Sequence, residues 1–286
     1  MKHISHLGAL ITLHTCDMCS FSDVASVLRR VKPDVVFHLA AITSVPQGEI
    51  EPELLFRTNL LGSLSLLEAA RRYSPDAKLL MISSAEVYGK VDMRDNPIKE
   101  DQPVRPVHLY GLSKALAEKL ALFYHTTLGL STVILRPFNH IGPRQADSFV
   151  CSSFARQVAL IDLRQTEPVI CVGDLSPVRD FTDVRDVVNA YCLAAKLCKE
   201  GYPYHIASGT GCTIKDILDT VLSFTDIKIE VREDPARKRA VEIPVCIGDP
   251  SRFNNHTGWT RHYSLSQSLQ DCFLYWKNNI LAKTKA

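Results

Sequence analysis

A continuous apolar segment, DVVFHL at residues 34–39, constrains the fold of this chain more than any other feature. A strand with one face in water alternates apolar and polar residues, whereas a strand covered by helices on both faces is apolar throughout. Apolar residues recur at helical spacing before this segment, at residues 22–30, and after it, at residues 51–73. The segment therefore predicts a strand of a parallel sheet enclosed between two layers of helices.

The alternation of strand-like and helix-like segments extends over the first half of the 286 residues. In chain order the segments are residues 9–14, 22–30, 34–39, 51–73, 78–83, 110–128 and 132–135. Strands that alternate with helices are typical of βαβ units. The sequence therefore predicts an α/β fold with a Rossmann-like, doubly wound parallel sheet.

After Pro137 the segments become shorter, and a second, smaller α/β region is interleaved with the first. We predict that this region forms a small C-terminal cap on the sheet domain, with a cleft between them. The predicted sheet domain comprises residues 1–142 with about 180–208, and the cap comprises residues 143–179 with 209–286.

Composition argues against several classes of function. The formal net charge of +2, from 33 lysines and arginines against 31 aspartates and glutamates, argues against a nucleic-acid partner. No apolar stretch approaches the roughly 20 residues of a membrane span, and the first residues lack the layout of a secretory signal. Nine cysteines without regular spacing favour the reducing cytoplasm over a disulfide framework.

The motif CDMC places Cys16 and Cys19 close to His14. A structural zinc site needs four ligands, and no second ligand pair follows at zinc spacing. We therefore expect neither a metal site nor a redox pair here, and we attribute the two cysteines to composition.

Tyr110 and Lys114 lie four residues apart in the predicted helix at residues 110–128, so both side chains project from one face. A phenol is a poor acid or base at neutral pH, but a nearby ammonium favours its ionised form and lowers its pKa. The pair is suited to proton transfer, although the same spacing occurs by chance on many helices.

Polar residues that follow predicted strands support a catalytic interpretation. Ser83, Ser84 and Glu86 come at the end of the strand at residues 78–83, where open α/β sheets bind their ligands. The Ser84 hydroxyl suits a substrate oxygen, while Glu86 is either a base that moves a proton on carbon or a solvated loop residue. His38 also follows a strand, and a hydrogen-bonded core histidine explains it well.

Later segments carry groups suited to a nucleotide. Asn139 and His140 follow Pro137 in a loop-like stretch, and Arg179 precedes Asp183, a candidate helix N-cap. Guanidinium groups suit phosphate oxygens and a carboxylate accepts from ribose hydroxyls, although a solvated basic loop explains such a cluster when it stands alone. The charged residues of this last cluster, ARKRAVEIP, are Arg237, Lys238, Arg239 and Glu242.

Together and in order, these motifs resemble the extended short-chain dehydrogenase/reductase family, the NAD(P)-dependent nucleotide-sugar epimerases, dehydratases and reductases. The motifs that carry the resemblance are VVFHLAA, FRTNLLGSLSLLEAA, SSAEVYG, YGLSK, RPFNHIGP, RDFTDVRD and GDPSRFNNHTGW. Each motif is modest alone, but the ordered set is specific. NHIGPRQ and SFVCSSFARQVA are most similar to the GDP-mannose branch of the family.

The resemblance implies a role for each candidate residue. Ser84, Tyr110 and Lys114 form the implied catalytic triad, in which Tyr110 protonates a sugar C4 oxygen as hydride arrives, and Glu86 matches a base used by dehydratases. The implied cofactor contacts are Asp17, Met18, Leu39, Ala40, Ala41, Tyr110, Lys114, Pro137 and His140. The implied contacts with a GDP-sugar are Ser84, Asn139, Arg179, Arg239 and Glu242.

The activity that the resemblance implies is NADPH-dependent reduction of the C4 keto group of GDP-4-keto-6-deoxy-D-mannose to GDP-D-rhamnose. NADP(H) is favoured over NAD(H), no metal is expected, and a homodimer is a further expectation from the family. Two alternatives stay open: a GDP-mannose 4,6-dehydratase, and a GDP-sugar-binding protein that has lost its cofactor site.

One departure from the family pattern concerns the cofactor. Members of the family carry a glycine-rich G-x-x-G-x-x-G turn whose amides bind the cofactor pyrophosphate, and this sequence, with 13 glycines, contains no such turn. By this resemblance Met1 falls just before the third strand, so that one βαβ unit is absent. We therefore expect the strand at residues 34–39 to have an unpaired edge, and cofactor binding to be weakened.

Overall fold

The computed structural model describes residues 4–8, 10–237 and 243–284. The strands of these residues are β1 (Val35–His38), β2 (Lys78–Ile82), β3 (Thr132–Pro137), β4 (Asn139–Ile141), β5 (Val169–Val172), β6 (Val178–Asp183), β7 (Pro203–Ile206), β8 (Gly211–Thr213), β9 (Glu230–Glu233) and β10 (Val245–Cys246). The α-helices are α1 (Phe21–Val31), α2 (Val45–Ile50), α3 (Pro52–Phe56), α4 (Gly62–Tyr73), α5 (Leu109–Leu128), α6 (Val150–Asp162), α7 (Val184–Leu197), α8 (Ile214–Leu222), α9 (Ser251–Thr257) and α10 (Leu265–Thr284).

The main sheet is parallel throughout and has the strand order β1-β2-β3-β7. Alternate residues of β2 point to opposite faces: Leu79 packs with α1, α4 and α5, whereas Leu80 packs with α7 and α9. Helices therefore cover both faces, and the prediction of a doubly wound α/β sheet is confirmed.

The helix before β2 contains a local change of winding. Residues Arg57–Leu61 form a π-helical turn that joins α3 to α4. The continuous helical segment begins at Pro52, with Glu51 as its N-cap, and ends at Tyr73. Such turns are often found at functional sites because they redirect side chains within a helix. Here the turn carries the buried Asn59, whose contacts are described below.

The smaller region is built around β6, which belongs to a second sheet. β6 pairs in parallel with β10 and β4 and antiparallel with β8, while β5 and β9 form a separate parallel pair. The apolar core of this smaller region lies between α6, α8 and α10. The expected cap, and the division of the chain at residues 142, 180 and 208, stay predictions.

The predicted strand at residues 9–14 is wrong for the residues that the structure describes. Ser5–Leu7 is a short 3₁₀ turn, residues 11–14 have no regular structure, and Leu10 and Leu13 are exposed. A strand forms only beside another strand. Within the described part of the chain β1 pairs with β2 alone, so its other edge is open, as predicted, and does not pair with this segment.

Helix α10 has 20 residues, yet no helix of the described ranges is apolar enough over sufficient length to cross a membrane.

Cys16 and Cys19 are free thiols, and the Cys19 thiol lies 3.5 Å from the carbonyl oxygen of Arg57. Across the described residues, no group of three histidine, cysteine or acidic side chains is placed to hold a metal ion.

Candidate active site

The carboxyl edge of the main sheet brings the candidate catalytic residues together. β2 ends at Ile82 and is followed by Ser83 and Ser84, and helix α5 brings Tyr110 and Lys114 to the same edge. Parallel strands end at one edge of a sheet, and ligands of open α/β sheets bind beyond that edge. The sequence prediction that these groups share one site is therefore consistent with the geometry.

Ser84 and Tyr110 form the centre of the site. The Ser84 hydroxyl accepts a hydrogen bond from the Glu86 amide at 3.2 Å and is also hydrogen-bonded to the buried phenol of Tyr110. Burial raises the pKa of Tyr110 to about 12, the Ser84 hydrogen bond opposes this shift, and the charge of Glu86 adds to it. The phenol therefore keeps its proton at neutral pH and is able to donate it.

Lys114 lies one turn further along α5, but it does not lower the pKa of Tyr110 here. Its Nζ donates to the carbonyl oxygen of Ile82 at 2.7 Å, at the end of β2. Burial lowers the pKa of Lys114 to about 8, and the carboxylate of Glu118 opposes this. The expected lowering of the Tyr110 pKa is wrong here, because the lysine is bound to the backbone of the strand and burial dominates the pKa of the phenol.

Asn59, in the π-helical turn, holds the segment that follows β1. Its Oδ1 accepts from the Ile42 amide at 2.8 Å, and its Nδ2 donates to the Ile42 carbonyl at 3.0 Å and to Ser113 Oγ at 3.0 Å. Ser113 donates in turn to the Tyr110 carbonyl at 2.8 Å. This buried amide thus fixes the loop after β1 against the catalytic helix, a role that its motif did not reveal.

His38 is a core histidine with a hydrogen-bond partner. Ser63 Oγ donates to the Asn59 carbonyl at 2.6 Å and accepts from His38 Nε2 at 2.9 Å. Burial, with a smaller effect of the nearby Lys114, lowers the pKa of His38 to about 4. The expectation that His38 is a hydrogen-bonded core histidine therefore agrees with its contacts.

The stability of the fold is expected to fall in acid because of this histidine. Its pKa is about 4 in the folded protein against 6.5 for an ordinary histidine, so between these values the unfolded chain binds more protons. The free energy of unfolding should therefore decrease by up to about 3 kcal/mol as the pH falls from 6.5 to below 4. His205, whose pKa burial lowers to about 3, adds to the same loss.

Urea unfolding at several pH values checks this prediction. The substitution His38→Gln keeps a group that can bond Ser63 but does not titrate, so it should flatten the dependence below pH 6.5. An unchanged slope in His38→Gln would contradict the assignment of the effect to His38.

Glu86 lies beside this centre and is paired with His108, a residue that sequence analysis missed. His108 Nε2 is 2.9 Å from Oε2 of Glu86, and His108 Nδ1 accepts from the Gly111 amide at 3.0 Å. The signal for His108 was its position immediately before the helix of Tyr110, where an N-cap is expected. Glu86 is thus neither a simple solvated loop residue nor remote from the phenol.

The candidate cofactor contacts lie in two groups. Leu39 and Ala40 are exposed and Ala41 is half-buried in the segment after β1, while Pro137 is buried at the end of β3 and His140 is exposed in β4. The other group precedes α1: Asp17 is exposed, and Met18 lies against Gly62 at the start of α4.

The catalytic edge has the features that a nicotinamide riboside needs. The Ser83 hydroxyl is buried there without a hydrogen-bond partner among the described residues, and the ammonium of Lys114 bonds the carbonyl oxygen of the preceding residue, Ile82. The exposed Leu39 and Ala40 leave the adjoining surface open, and their neighbour Ala41 is small. The residues present therefore fit the nicotinamide end of a dinucleotide.

Two of the candidate GDP-sugar contacts, Asn139 and Arg179, lie on β4 and β6. Asn139 donates from Nδ2 to the Asp180 carbonyl at 3.3 Å, and the buried Arg179 lies opposite Cys246 in the β6–β10 pair. Burial raises the pKa of the Cys246 thiol to about 12, the charge of Glu86 adds to the shift and Arg179 opposes it. Cys246 also packs in one apolar cluster with Ala85 and Val87, which flank Glu86, so Arg179 lies near the carboxyl edge of the main sheet.

Two further candidates, Arg239 and Glu242, lie outside the described residues. Asp183 caps α7 by accepting from the Arg185 amide at 2.8 Å, so its interpretation as an N-cap is confirmed.

Comparison with known proteins gives a consistent result. A family model described as GDP-mannose 4,6 dehydratase matches residues 1–272. The chain is 36% identical over 248 residues to a GDP-6-deoxy-D-mannose reductase of Pseudomonas aeruginosa, covering 87% of this chain and 82% of the relative. It is 26% identical over 290 residues to a GDP-mannose 4,6-dehydratase of Vibrio cholerae, covering 91% of this chain and 77% of the relative.

A solved structure shows the same fold. The structure of RMD from Pseudomonas aeruginosa complexed with NADPH superposes with a TM-score of 0.89 at 32% identity, covering 97% of this chain and 95% of that one. A Thermus thermophilus UDP-glucose 4-epimerase in complex with NAD superposes with a TM-score of 0.81 at 29% identity, covering 91% and 83%.

Proposed function

The chain belongs to the GDP-mannose 4,6-dehydratase family, and from this premise we propose that it is an NADPH-dependent nucleotide-sugar reductase. The proposed reaction converts the C4 keto group of GDP-4-keto-6-deoxy-D-mannose into the hydroxyl of GDP-D-rhamnose. The observation that carries the proposal is the placement of Ser84, Tyr110 and Lys114 together at the carboxyl edge of the sheet. The higher identity to a named reductase than to a named dehydratase supports reduction over dehydration.

The chain's own residues supply binding and proton transfer. Ser84 donates a hydrogen bond to the C4 oxygen, and Tyr110 gives that oxygen its proton as the carbonyl carbon is reduced. Lys114, whose ammonium bonds the end of β2, binds a ribose hydroxyl of the cofactor in this proposal. Bound NADPH supplies the hydride.

NADP(H) is the proposed cofactor in preference to NAD(H), supported by the NADPH complex of the structural relative. Tyr110, Lys114 and Pro137 hold the nicotinamide riboside in this proposal. The remaining proposed contacts are Leu39, Ala40, Ala41 and His140 near the nicotinamide, and Asp17 with Met18 near the adenine.

The GDP-sugar is proposed to bind across the cleft between β6 and the catalytic edge. Arg179 and Arg239 pair with its diphosphate, Glu242 accepts from ribose hydroxyls, and Asn139 binds the sugar side. All nine cysteines are free thiols, which suits the reducing cytoplasm that we propose as the compartment.

Absorbance at 340 nm tests the proposal directly. We expect the chain to oxidise NADPH when GDP-4-keto-6-deoxy-D-mannose is added, and not when GDP-mannose is added. Conversion of GDP-mannose to a 4-keto product without net NADPH consumption would identify a dehydratase instead. Binding of GDP without binding of NADPH, measured by separate calorimetric titrations, would identify a GDP-sugar-binding protein.

A homodimer is proposed through the outer faces of α4 and α5. Leu112, Leu116 and Phe123 of α5 are exposed along one helical stripe. Leu54 of α3, Leu61 of the π-helical turn and Leu64 of α4 are also exposed. Neighbouring stripes of this kind mark a surface that is covered by another protein chain. Two copies that pack these stripes together would bury both.

Light scattering after size-exclusion chromatography checks the dimer. The substitution Leu116→Glu should convert the dimer to a monomer, because a carboxylate at the centre of the stripe is costly to desolvate. Val188→Glu, an equally drastic change at an exposed position of α7, is the control and should leave the dimer intact. A monomeric wild-type chain would contradict the proposal.

A further inference from the structure

His108 connects the catalytic helix to the turn that carries Glu86. It precedes α5 as the N-cap residue, a position that most often holds serine, threonine, aspartate or asparagine. Nδ1 of the ring accepts from the Gly111 amide at 3.0 Å, while Nε2 lies 2.9 Å from the Glu86 carboxylate. The side chains of His108 and Glu86 are only 12% and 23% exposed, so little water competes for this contact.

The two contacts define the protonation of the imidazole. An amide N–H can only donate, so Nδ1 of His108 is the nitrogen without a proton. The proton of the neutral ring is then on Nε2 and is directed at the Glu86 carboxylate. His108 is therefore the donor and Glu86 the acceptor of their hydrogen bond.

The pair is packed rigidly against the catalytic tyrosine. A Cβ at Gly111 would lie 2.5 Å from the Glu86 carbonyl oxygen, so only glycine allows α5 to approach the Glu86 backbone this closely. The ring of His108 lies nearly parallel to that of Tyr110, with centroids 6.1 Å apart and planes inclined by 13°. Glu86, His108 and Tyr110 thus form one unit at the reaction centre.

We propose that His108 is a positioning residue that determines which chemistry Glu86 performs. It holds the carboxylate as a fixed hydrogen-bond acceptor and weakens it as a base toward carbon, so the site favours reduction at C4 over proton removal at C5. This inference rests on the proposed function, because C5 is acidic only next to the C4 ketone. Donation of a hydrogen bond to an ionised carboxylate stabilises that form and lowers its proton affinity.

The step that His108 disfavours is removal of the C5 proton, which needs no oxidant or reductant. Glu86 takes the C5 proton, the electrons of the C5–H bond form a C4–C5 double bond, and the C4 oxygen becomes an enolate that Ser84 and Tyr110 stabilise. Reversal of this step in D₂O returns a deuteron to C5 without oxidation or reduction. Deuterium exchange at C5 therefore measures the basicity of Glu86 with no cofactor present.

The experiment follows this exchange by ¹H NMR in the 286-residue chain. Loss of the C5 proton collapses the doublet of the C6 methyl group to a singlet. In His108→Ser the serine hydroxyl replaces Nδ1 as the cap of the Gly111 amide, but no group is left to donate to Glu86. Deuterium exchange at C5 should therefore be at least tenfold faster in this variant than in the wild type. Glu86→Gln combined with His108→Ser should remove the acceleration, and Glu86→Gln alone should exchange no faster than the wild type.

Two controls separate positioning from folding. His108→Ser should melt close to the wild type, whereas His108→Ala, which lacks a cap, should melt at a lower temperature. In the ligand-free chain, ¹⁵N spectra should show the Nε2–H tautomer of His108, and its Nε2 signal should move in Glu86→Gln.

Two results would overturn the inference. One is an Nδ1–H tautomer for His108. The other is exchange in His108→Ser no faster than in the wild type, once calorimetry has shown that both bind the 4-keto sugar nucleotide. If the wild type does not bind that sugar nucleotide at all, the proposed function fails, and this inference fails with it.

Discussion

Tyr110→Phe is expected to lower kcat for NADPH-dependent reduction by about 10²–10⁴-fold, the usual contribution of a positioned general acid. Phenylalanine keeps the ring in its buried position on α5 but removes the proton that the C4 oxygen receives. The Ser84 hydroxyl remains to bind that oxygen, so KM for the sugar nucleotide should change much less than kcat. Stopped-flow absorbance at 340 nm under single-turnover conditions measures the step.

Tyr124→Phe is the matched control for this prediction. Tyr124 lies on the same helix and is buried, but its hydroxyl donates to Glu68 at 3.1 Å, away from the sheet edge. Its loss should leave the single-turnover rate close to the wild type. A reduction of less than tenfold in Tyr110→Phe would show that another group delivers the proton, and the catalytic assignment of Tyr110 would be wrong.

The parallel sheet was predictable because its strands are buried on both faces. Residues 34–39 and 78–83 are apolar runs between helical patterns, and they became the neighbouring strands β1 and β2. The short strands of the cap were harder to predict. β4 and β10 span only a few residues, and β4 includes polar residues that resemble a loop, so pairing with β6 rather than local sequence makes them strands.

The error at residues 9–14 has the same origin. An apolar run favours a strand only where a partner is present, and the local pattern does not contain that information. Leu10 and Leu13 are therefore exposed in irregular structure, although their sequence is typical of a strand.

The centre of the site was predictable and its supports were not. Ser84 follows a strand and Tyr110 begins a helix, so topology alone brings them to one edge. Asn59 acts on the backbone of Ile42 and His108 acts on the carboxylate of Glu86, and tertiary packing brings both partners to these side chains. A histidine before a helix or an asparagine within one has no distinctive spacing from which such a role could be deduced.

Glu118→Gln is expected to destabilise the fold by about 3–5 kcal/mol, since it breaks a buried ion pair from one side. Glu118 on α5 accepts two hydrogen bonds from Arg136 on β3, at 2.9 and 2.7 Å, and both side chains are at least 93% buried. Without the carboxylate the guanidinium stays charged, because arginine keeps its proton at neutral pH. It also stays in the core, where it bonds Tyr88 and the Glu100 carbonyl. Urea unfolding at pH 7 measures the loss.

The same change made on an exposed pair gives the control. Glu230→Gln removes the carboxylate partner of Arg232 in a pair that is about 60% exposed on both sides, and its effect should be within error of the wild type. Equal effects of Glu118→Gln and Glu230→Gln would contradict the prediction.

The double variant Glu118→Leu/Arg136→Met separates charge from packing. A buried ion pair replaced by apolar residues of similar volume is often neutral, so this variant should recover part of the stability that Glu118→Gln loses. Recovery should be incomplete, because Tyr88 and the Glu100 carbonyl also lose their bonds to Arg136. The carboxylate of Glu118 also raises the pKa of Lys114, which is about 8 in the wild type. Glu118→Gln and the double variant both lack this carboxylate, so the pKa of Lys114 should be lower in both. The ion pair beneath the catalytic helix thus supports the fold and, through Lys114, the charge of the site.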